Sequence, residues 1–408
     1  MLHTPNRSFS DCESEGDCRD GRWVRALRRV HEMSGRRVAI QLISTGGVYG
    51  AEKVLLELAD YIHGHGWESH VVTLEGQGAG ELVKLAASKG LAAEAFVLSG
   101  RLAFLPMAAR LQGLLRRHPR AIVHGHNYKP DLLLTLLRIP RRLACLATCH
   151  SSYRETRKLR VLGALDKRAI RRFDGVVAVS REIYQELIDR GIRKEKLTLI
   201  YNGIEAPRAD GDPPARLRQE FDIPSGAKLI VQIGRLVELK RSDLLLEALA
   251  RMPVALQAYV LLVGDGDQRQ VLADRAARLG VTHRIRFCGY RADIGQILAA
   301  ADAMALTSDY EGLPIVVLEA MAMRCPLVST SVGAIPDILR DGVDAWIVPT
   351  NDVSALVRAL SELLGNPEMA RVRAASANAK FLRQHSRDSM GARYLEVYEK
   401  SWASHGWA

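Results

Sequence analysis

Short apolar runs alternate with amphipathic segments along most of the chain. The apolar runs of the first half, each predicted as a strand, are 36–43, 69–74, 121–126, 142–149, 175–180 and 197–202. The segments between them that show helical spacing of apolar positions are 51–64, 79–89, 103–117 and 181–190. Strands that alternate with helices predict a parallel sheet with helices on both faces.

A second series of the same kind follows a break. The segment 203–226 is rich in proline and charge and predicts a linker between domains. Beyond it, the predicted strands are 227–234, 258–264, 284–289, 301–308, 325–330 and 345–349. We therefore expect an α/β protein with two doubly wound domains, 36–207 and 208–385. Ligands of such folds bind at the carboxyl ends of the strands.

The composition excludes several classes of protein. It is 48% hydrophobic and 25% charged, as in soluble globular proteins. No apolar run is long enough to span a membrane, and residues 1–21 lack the apolar core of a secretory signal peptide. The six cysteines show neither a CxxC pair nor zinc-ligand spacing. We expect a disordered leader over 1–35, reduced thiols and a cytoplasmic location.

The segment 308–322 (SDYEGLPIVVLEAMA) carries the clearest candidate site. We expect a loop to hold Glu311 and Gly312, and a helix to run from Pro314 through Glu319. Two carboxylates would then lie at the start of one helix, one in the loop and one about a turn inside. The plain alternative is an amphipathic helix with two solvated acids.

The start of this helix favours anions. The first backbone amides, from Leu313 to Val316, lack partners within the helix and point outward. An anion site beside two carboxylates fits a ligand that carries both phosphates and hydroxyls. Nucleotide sugars carry both groups.

Glu311 and Glu319 also form an E-x7-E pattern, and the stretch EGLPIVVLEAM resembles the retaining glycosyltransferases of family 4, whose fold is called GT-B. The resemblance extends from residue 36 to about residue 402. It implies two Rossmann-like domains, with the donor on the second, the acceptor on the first, and a last helix, 386–402, that crosses back to the first. It also implies that Glu311 is catalytic. The donor-binding residues that it implies at this helix are Gly312, Leu313, Pro314, Ile315, Val316 and Glu319.

Arg235 and Lys240 lie in GRLVELKRSDLLLEAL and match the family's two basic residues beside the donor diphosphate. Breaking a sugar–diphosphate bond develops negative charge on the leaving group, which fixed cations stabilise. The resemblance therefore makes both residues catalytic candidates. Without it, they would be interpreted as surface charges beside a helix.

Further matches to the family lie where predicted strands end. Gly264 lies in the turn VGDGDQ, and Tyr290 lies where the family's backbone contacts the base. Gly46 and Gly47, in STGGVYGAEK, match a glycine loop near the leaving diphosphate or the acceptor. A flexible strand-to-helix turn is the alternative for this loop.

Three polar residues of the first domain are further candidates. His150, in ATCHSSY, matches the family's histidine near the donor sugar, which is expected to bond a sugar hydroxyl or stabilise developing charge. His126, which ends a strand in HGH, and Asn202, in YNG, are acceptor-side candidates. Without the resemblance, a lone histidine is more often structural.

Neither a metal nor a cofactor is expected. Asp265 and Asp267 spell the DxD motif of metal-dependent transferases, but that motif belongs to another fold and lies elsewhere in it. One departure from the family concerns SVGAIPDIL, where Asp337 replaces a glutamate. Because aspartate is shorter, we expect that one donor contact is lost or mediated by water.

The net charge of +11 is concentrated in the first half. Residues 1–207 hold 33 basic and 22 acidic side chains, whereas 208–408 hold 24 of each. The segment 154–172 alone has eight Lys or Arg against two acids, and helical spacing places Leu165 on an apolar side and Lys167 on a cationic side. This pattern predicts a helix that docks on an anionic membrane surface. The alternative is a core-packed helix with a solvated charged face.

The sequence thus predicts a retaining, metal-independent glycosyltransferase of the hexosyltransferase type. It would move a sugar from a nucleoside diphosphate sugar to a glycan or lipid-linked acceptor, in cell-surface polysaccharide or glycolipid biosynthesis, peripherally on the inner face of the membrane. Nucleic acid is not an expected partner, because no basic stretch is interleaved with aromatic residues. A sugar-nucleotide epimerase, a phosphorylase and a non-catalytic sugar-nucleotide sensor on the same fold stay open as alternatives.

Overall fold

The computed structural model describes residues 37–44, 50–74, 79–96, 104–139, 142–150 and 157–407. The expected leader, Gly46 and Gly47, and the start of the 154–172 segment lie outside the described residues.

The first domain is built on one parallel sheet. Its strands are β1 (Arg37–Ile43), β2 (Trp67–Leu74), β3 (Ala92–Phe96), β4 (Ala121–Gly125), β5 (Ala144–Cys149), β6 (Gly175–Ala178) and β7 (Leu197–Leu199). Its described helices are α1 (Gly50–Gly64), α2 (Ala79–Ser88), α3 (Phe104–Arg117), α4 (Tyr128–Leu136), α5 (Arg157–Ile170) and α6 (Arg181–Asp189). The strand order is β3-β2-β1-β4-β5-β6-β7.

The second domain has a parallel sheet of the same kind. Its strands are β8 (Lys228–Ile233), β9 (Ala258–Val263), β10 (Ile285–Gly289), β11 (Ala303–Leu306), β12 (Leu327–Thr330) and β13 (Trp346–Val348), in the order β10-β9-β8-β11-β12-β13. Its helices are α7 (Pro213–Glu220), α8 (Ser242–Arg251), α9 (Arg269–Arg278), α10 (Ile294–Ala300), α11 (Ile315–Ala322), α12 (Ile335–Ile338), α13 (Val353–Gly365) and α14 (Pro367–Gln384). The last helix is α15 (Arg387–Ser404).

The predicted α/β class with two doubly wound sheets is confirmed. The strand order reverses between β1 and β4 in the first sheet and between β8 and β11 in the second. A crevice opens at the carboxyl ends of the strands at such a reversal, and the loops that leave them carry the ligand. The loops after β8 and β11 hold the candidate residues of the second domain.

Two elements differ from the sequence-based prediction. Strand β3 was not predicted, because its sequence AAEAF is short, rich in alanine and on the sheet edge. Helix α7 lies inside the expected linker 203–226, where the Asp212 carboxylate accepts from the Ala215 N–H (3.3 Å) and proline occupies the first turn.

Helix α15 packs against the first domain. Its buried residues Met390, Tyr394, Tyr398 and Trp402 join a core cluster of that domain, where the rings of Trp402 and Trp67 lie edge to face, 5.2 Å apart. Just before α15 begins, the chain passes so close to residue 203 that only glycine fits there, because a Cβ would lie 2.4 Å from the Ser386 carbonyl oxygen. Among the described residues, no helix has the length and apolar character of a membrane span.

Candidate active site

A buried ion pair joins the two loops at the strand-order reversal of the second sheet. The ammonium group of Lys240, in the loop after β8, lies 2.5 Å from Glu311 Oε1, in the loop after β11. The Ser308 hydroxyl donates to the same carboxylate oxygen at 2.6 Å. The Lys240 and Glu311 side chains are 23% and 11% exposed. The structure therefore brings two of the predicted catalytic residues into direct contact.

Buried polar groups fix the backbone that carries Lys240. The Gln232 amide donates to the Lys240 carbonyl (3.1 Å) and to Thr307 Oγ1 (2.9 Å). The Thr307 hydroxyl lies 2.9 Å from the carbonyl oxygens of Lys240 and Arg241. Because Gln232 lies near the end of β8 and Thr307 follows β11, these bonds hold one loop against the other.

Arg241 adds a second clamp between the same loops. It adopts the left-handed conformation with φ 47°, which is uncommon for a residue with a Cβ. Its guanidinium group lies 3.1 Å from Asp243 and 3.0 Å from Asp309. These ion pairs stabilise the turn just beyond Lys240.

Arg235 is exposed at the mouth of the same loop. Gly264 has φ 131°, and a Cβ there would lie 2.0 Å from the Gly234 carbonyl oxygen. Gly266 is equally close to Leu236, at 2.2 Å. Gly264 is a predicted match to the family, and the structure shows that both glycines let the loops after β8 and β9 touch. Tyr290, at the end of β10, is 84% exposed.

The start of α11 offers backbone N–H groups to the crevice. Pro314 precedes the first helical residue and has no N–H, so the donors of this segment are Gly312, Leu313, Ile315 and Val316. No side chain of the described residues caps the helix. Its N-terminus therefore keeps the predicted capacity to bind an anion beside Lys240 and Glu311.

Lys53, which was not among the predicted site residues, forms an ion pair with Glu319 across the cleft. The Lys53 ammonium group lies 3.7 Å from Glu319 Oε1, and the Glu319 side chain is 13% exposed. Burial raises the pKa of Glu319, and Lys53 acts in the opposite direction. A Cβ on Gly50, the first residue of α1, would lie 3.3 Å from Ile315. The first domain thus contacts the start of α11.

Asp337 forms another contact between the domains. Its carboxylate accepts from the backbone N–H of Arg181, at the start of α6, at 3.3 Å. We expected the shorter side chain to weaken a donor contact, and the structure places it against the first domain.

His150 lies at the end of β5 and rests on buried polar residues. Its Nε2 is 3.3 Å from Nδ1 of His126, whose Nε2 is 2.8 Å from Oε1 of Gln41. His126 is 1% exposed, and both of its ring nitrogens are engaged. The expectation that His126 faces an acceptor is therefore corrected, because this side chain lies behind His150.

A second branch of this network reaches helix α15. The Tyr398 hydroxyl is 2.7 Å from His124 Nδ1, whose Nε2 is 2.8 Å from Thr148 Oγ1. Thr148 in turn lies 2.9 Å from the Tyr394 hydroxyl. Burial lowers the pKa of His124 to about 3 and that of His150 to about 4, so both rings are neutral near pH 7.

Asn202 is placed at the crossing between the domains. It is 6% exposed, and its backbone carbonyl accepts from His385 Nδ1 at 3.2 Å. The structure thus puts this acceptor-side candidate against the returning chain rather than in an open part of the cleft.

The cationic helix differs from the prediction at two positions. Lys167, expected on the cationic side, is 2% exposed and lies 3.6 Å from Glu186. Leu165, expected on the apolar side, is 51% exposed. The helix therefore buries Lys167 together with its neighbour Asp166.

The described residues contain no cluster of three or more His, Cys, Asp or Glu side chains suited to a metal ion. The charges at the crevice include those of Arg235, Lys240, Glu311 and Glu319, with Lys53 beside Glu319. Together with the N-terminus of α11 they suit a ligand with an anionic group and vicinal hydroxyls.

Comparisons with known proteins agree with this geometry. The profile described as "Glycosyltransferase Family 4" matches residues 48–208, and "Glycosyl transferases group 1" matches 215–380. The N-acetyl-alpha-D-glucosaminyl L-malate synthase of Bacillus anthracis is 25% identical over 303 residues, 72% of this chain and 78% of the relative. The lipopolysaccharide core biosynthesis glycosyltransferase LpsE of Rhizobium meliloti is 29% identical over 282 residues, 68% and 79% of the two chains.

A solved structure shows the same fold over nearly the whole described chain. It is that of the Anabaena protein HepE (Alr3699) in complex with UDP, with a TM-score of 0.78 and 22% identity, covering 89% of this chain and 99% of HepE. The two profiles each match one of the two domains, and the predicted resemblance is confirmed. The chain therefore belongs to the family 4, or group 1, glycosyltransferases and has their GT-B fold.

Proposed function

We propose that this glycosyltransferase takes its sugar from a nucleoside diphosphate sugar bound mainly to the second domain. The observation that carries the proposal is the contact between Lys240 and Glu311 at the uncapped start of α11. Lys240, Arg235 and the helix N-terminus stabilise the charge that develops on the departing diphosphate. Glu319, one turn inside the helix, accepts from hydroxyls of the ribose.

Properties of similar proteins support this choice of donor. HepE has been crystallised with UDP and with UDP-glucose. Because HepE is 22% identical to this chain, it supports a nucleotide sugar as the class of donor and leaves the base and the sugar to be measured.

We further propose transfer with retention of the anomeric configuration and without a metal or other cofactor. Lys240 and Ser308 both bond to Oε1 of Glu311, which favours a role in binding the donor over a role as nucleophile. In this proposal the acceptor hydroxyl attacks from the face that the diphosphate leaves, and the diphosphate takes its proton. Arg235 and Lys240 supply the positive charge that a metal ion supplies elsewhere, so EDTA is expected to leave the rate unchanged.

The proposed acceptor is a hydroxyl of a glycan or a lipid-linked sugar in cell-surface polysaccharide or glycolipid biosynthesis. LpsE is a glycosyltransferase of lipopolysaccharide core biosynthesis, which supports a glycan acceptor. The Bacillus anthracis relative is an L-malate synthase by name, which instead implies a small hydroxy acid, so a small acceptor belongs in the same assay.

The test is the release of nucleoside diphosphate from UDP-, GDP- and ADP-sugars, with and without a membrane glycolipid extract or small hydroxylated acceptors. We expect that sugars of one base release their nucleoside diphosphate and that one acceptor accelerates this release. Lys240→Ala is expected to abolish the release, whereas Leu239→Ala, at an exposed neighbour in the same turn, is expected to retain it. Sugar release or isomerisation that ignores every acceptor would favour an epimerase, and dependence on inorganic phosphate would favour a phosphorylase. Nucleotide binding without any turnover would favour a sensor.

We also propose that α5 brings the first domain to an anionic membrane surface. Leu165 is exposed beside the exposed cations Arg168, Arg171 and Arg172, so an apolar group and positive charge share one surface. Each cation near an anionic leaflet contributes about 1 kcal/mol. This surface supports peripheral binding at the inner face of the membrane, where a lipid-linked acceptor would lie.

Flotation with anionic and neutral vesicles tests this proposal. We expect flotation with anionic vesicles only, lost in the double variant Arg168→Glu/Arg172→Glu. The control is Arg358→Glu/Arg371→Glu, which makes the same change of net charge at exposed positions of the second domain. Equal loss in both double variants, or no preference for anionic vesicles, would contradict a docking surface on α5.

A further inference from the structure

A continuous chain of hydrogen bonds runs from helix α15 to His150. Tyr398 Oη lies 2.8 Å from Gln41 Nε2, Gln41 Oε1 lies 2.8 Å from His126 Nε2, and His126 Nδ1 lies 3.3 Å from His150 Nε2. Gln41, His126 and Tyr398 are each at most 1% exposed. These three side chains are therefore shielded from water, and each residue limits the protonation of the next.

The orientation of the Gln41 amide determines which atoms donate and which accept in this chain of hydrogen bonds. Its Nε2 donates to Tyr398, so its Oε1 faces His126 and can only accept. His126 must then carry its proton on Nε2. Burial and the neighbouring His124 and His150 lower the pKa of His126 well below its usual value, so it has no second proton.

The tautomer of His126 determines that of His150. The unprotonated Nδ1 of His126 accepts from His150 Nε2. Burial keeps His150 neutral, because its pKa falls to about 4. The remaining nitrogen, His150 Nδ1, is then an acceptor, and it is buried without a hydrogen-bond partner among the described residues.

We infer that Gln41 and His126 are positioning residues that hold His150 as the Nε2–H tautomer, so that Nδ1 accepts a hydrogen bond from a hydroxyl of the bound sugar. A buried acceptor without a partner is unfavourable, and a sugar hydroxyl that donates to Nδ1 removes this penalty. The inference rests on the proposed function for the identity of the ligand, whereas the tautomer itself is a property of the free protein.

Nitrogen-15 NMR of the full-length protein labelled at its histidines tests the tautomer directly, with His150→Gln used to assign the His150 signals. We expect a protonated Nε2 and an unprotonated Nδ1 in the wild type. In Gln41→Met, which has similar length and no hydrogen-bonding amide, we expect a mixture of both tautomers. A wild-type His150 protonated on Nδ1 would overturn the inference, since it requires the opposite amide orientation of Gln41.

Two tyrosines of α15 provide a matched pair for kinetics. Tyr398 bonds directly to Gln41 and also to His124, whereas Tyr394 bonds to Thr148 and is connected to Gln41 only through His124 and Tyr398. Both are buried, and each phenylalanine variant removes one hydroxyl from the same network. We expect Tyr398→Phe to lower kcat/KM about threefold and Gln41→Met about tenfold, with Tyr394→Phe within about twofold of wild type.

Binding of the nucleoside diphosphate alone separates positioning from a structural defect. It lacks the sugar, so its Kd is expected to stay within about twofold of wild type in all three variants. Parallel losses of kcat/KM and of diphosphate binding, or equal effects of the two phenylalanine variants, would overturn the inference. If the wild type itself shows no turnover, the proposed function fails, and the NMR result still decides the tautomer.

Discussion

At the scale of single residues, the crevice depends on two largely buried carboxylates that each lie beside a cation. Lys240 meets Glu311, and Glu319 meets Lys53. Removing one member of such a pair leaves the other charge partly desolvated, and this can be detected in binding, rate and pH dependence.

Lys240→Ala is expected to lower kcat by about 100-fold or more, with a much smaller effect on nucleotide affinity. The ammonium group contributes most where charge develops on the leaving diphosphate, which is in the transition state. Steady-state kinetics and calorimetric titration of the nucleoside diphosphate measure the two effects. Equal losses of rate and affinity would contradict this separation.

Lys53→Met is expected to move the acid limb of nucleotide binding to higher pH. Burial raises the pKa of Glu319, and Lys53 lowers it, so loss of the cation lets the carboxyl group protonate at a higher pH. A protonated Glu319 accepts less well from ribose hydroxyls, so affinity falls as the pH falls through its pKa. Titrations with nucleotide at several pH values test this prediction, with Lys84→Met at an exposed position as the control. Identical pH profiles of nucleotide binding in the two variants would contradict the pairing of Lys53 with Glu319.

Some residues of the site could be predicted and others could not. The E-x7-E pattern identified Glu311 and Glu319, because their spacing along one segment is visible in the sequence. Lys53 could not be identified from the sequence, because its partner lies in the other domain. Gln41 is a polar residue inside an apolar strand (RVAIQLI), and burying such a residue is unfavourable unless it is hydrogen-bonded. The sequence therefore indicated that Gln41 has a partner, but the partner on α15 could not be inferred.

At the scale of elements, close approach between loops defines the donor side. The loop after β9 touches the loop after β8 at Gly264 and Gly266, and the loop after β12 touches the loop after β11 at Gly333; at each glycine a Cβ would lie about 2 Å from a carbonyl oxygen. The position of Arg235 and Lys240 therefore depends on residues that carry no functional group.

Gly264→Ala is expected to destabilise the protein by about 2 kcal/mol or more and to weaken nucleotide binding. The new Cβ forces the loops after β8 and β9 apart, and the residue has φ 131°, which alanine rarely adopts. Gly226→Ala is the control, because that site has open space and no positive φ. Chemical denaturation and nucleotide titration provide the measurements, and equal stability of the two variants would refute the close approach.

Helix α5 shows where hydrophobic patterning fails. The pattern placed Lys167 outside, whereas the structure buries Asp166 and Lys167 next to Asp131 and Glu186. Burial raises the pKa of Asp166 from 3.8 to about 7, with Lys167 acting in the opposite direction. A buried pair of opposite charges adjacent in sequence does not follow the apolar periodicity, so Lys167 was assigned to the wrong side of the helix.

Asp166→Asn is expected to stabilise the protein by about 2 kcal/mol at pH 8, with little change at pH 4. The folded carboxyl group binds its proton more tightly than the unfolded one, so the stability it contributes is lost as the pH rises from about 4 towards 7. Asparagine is neutral throughout and avoids this loss. Urea denaturation at both pH values tests the prediction, with exposed Asp189→Asn as control, and a destabilised variant at pH 8 would contradict it.

At the scale of the whole molecule, the two domains are joined by more than their linker. Helix α15 closes the core of the first domain, and Lys53 and Asp337 bridge the cleft on either side. The two doubly wound sheets could be predicted, because alternation of strands and helices is encoded locally. The contacts between domains could not, because they join residues far apart in sequence without a local pattern.

Thermal stabilisation by UDP, GDP, ADP and their sugar conjugates tests the central claim, a nucleotide-sugar site formed by α11 and the loop after β8. Nucleotides of one base are expected to raise the melting temperature. Glu319→Ala is expected to abolish the shift, whereas the exposed variant Glu368→Ala retains it. No shift with any nucleotide, or the same shift in Glu319→Ala, would contradict it.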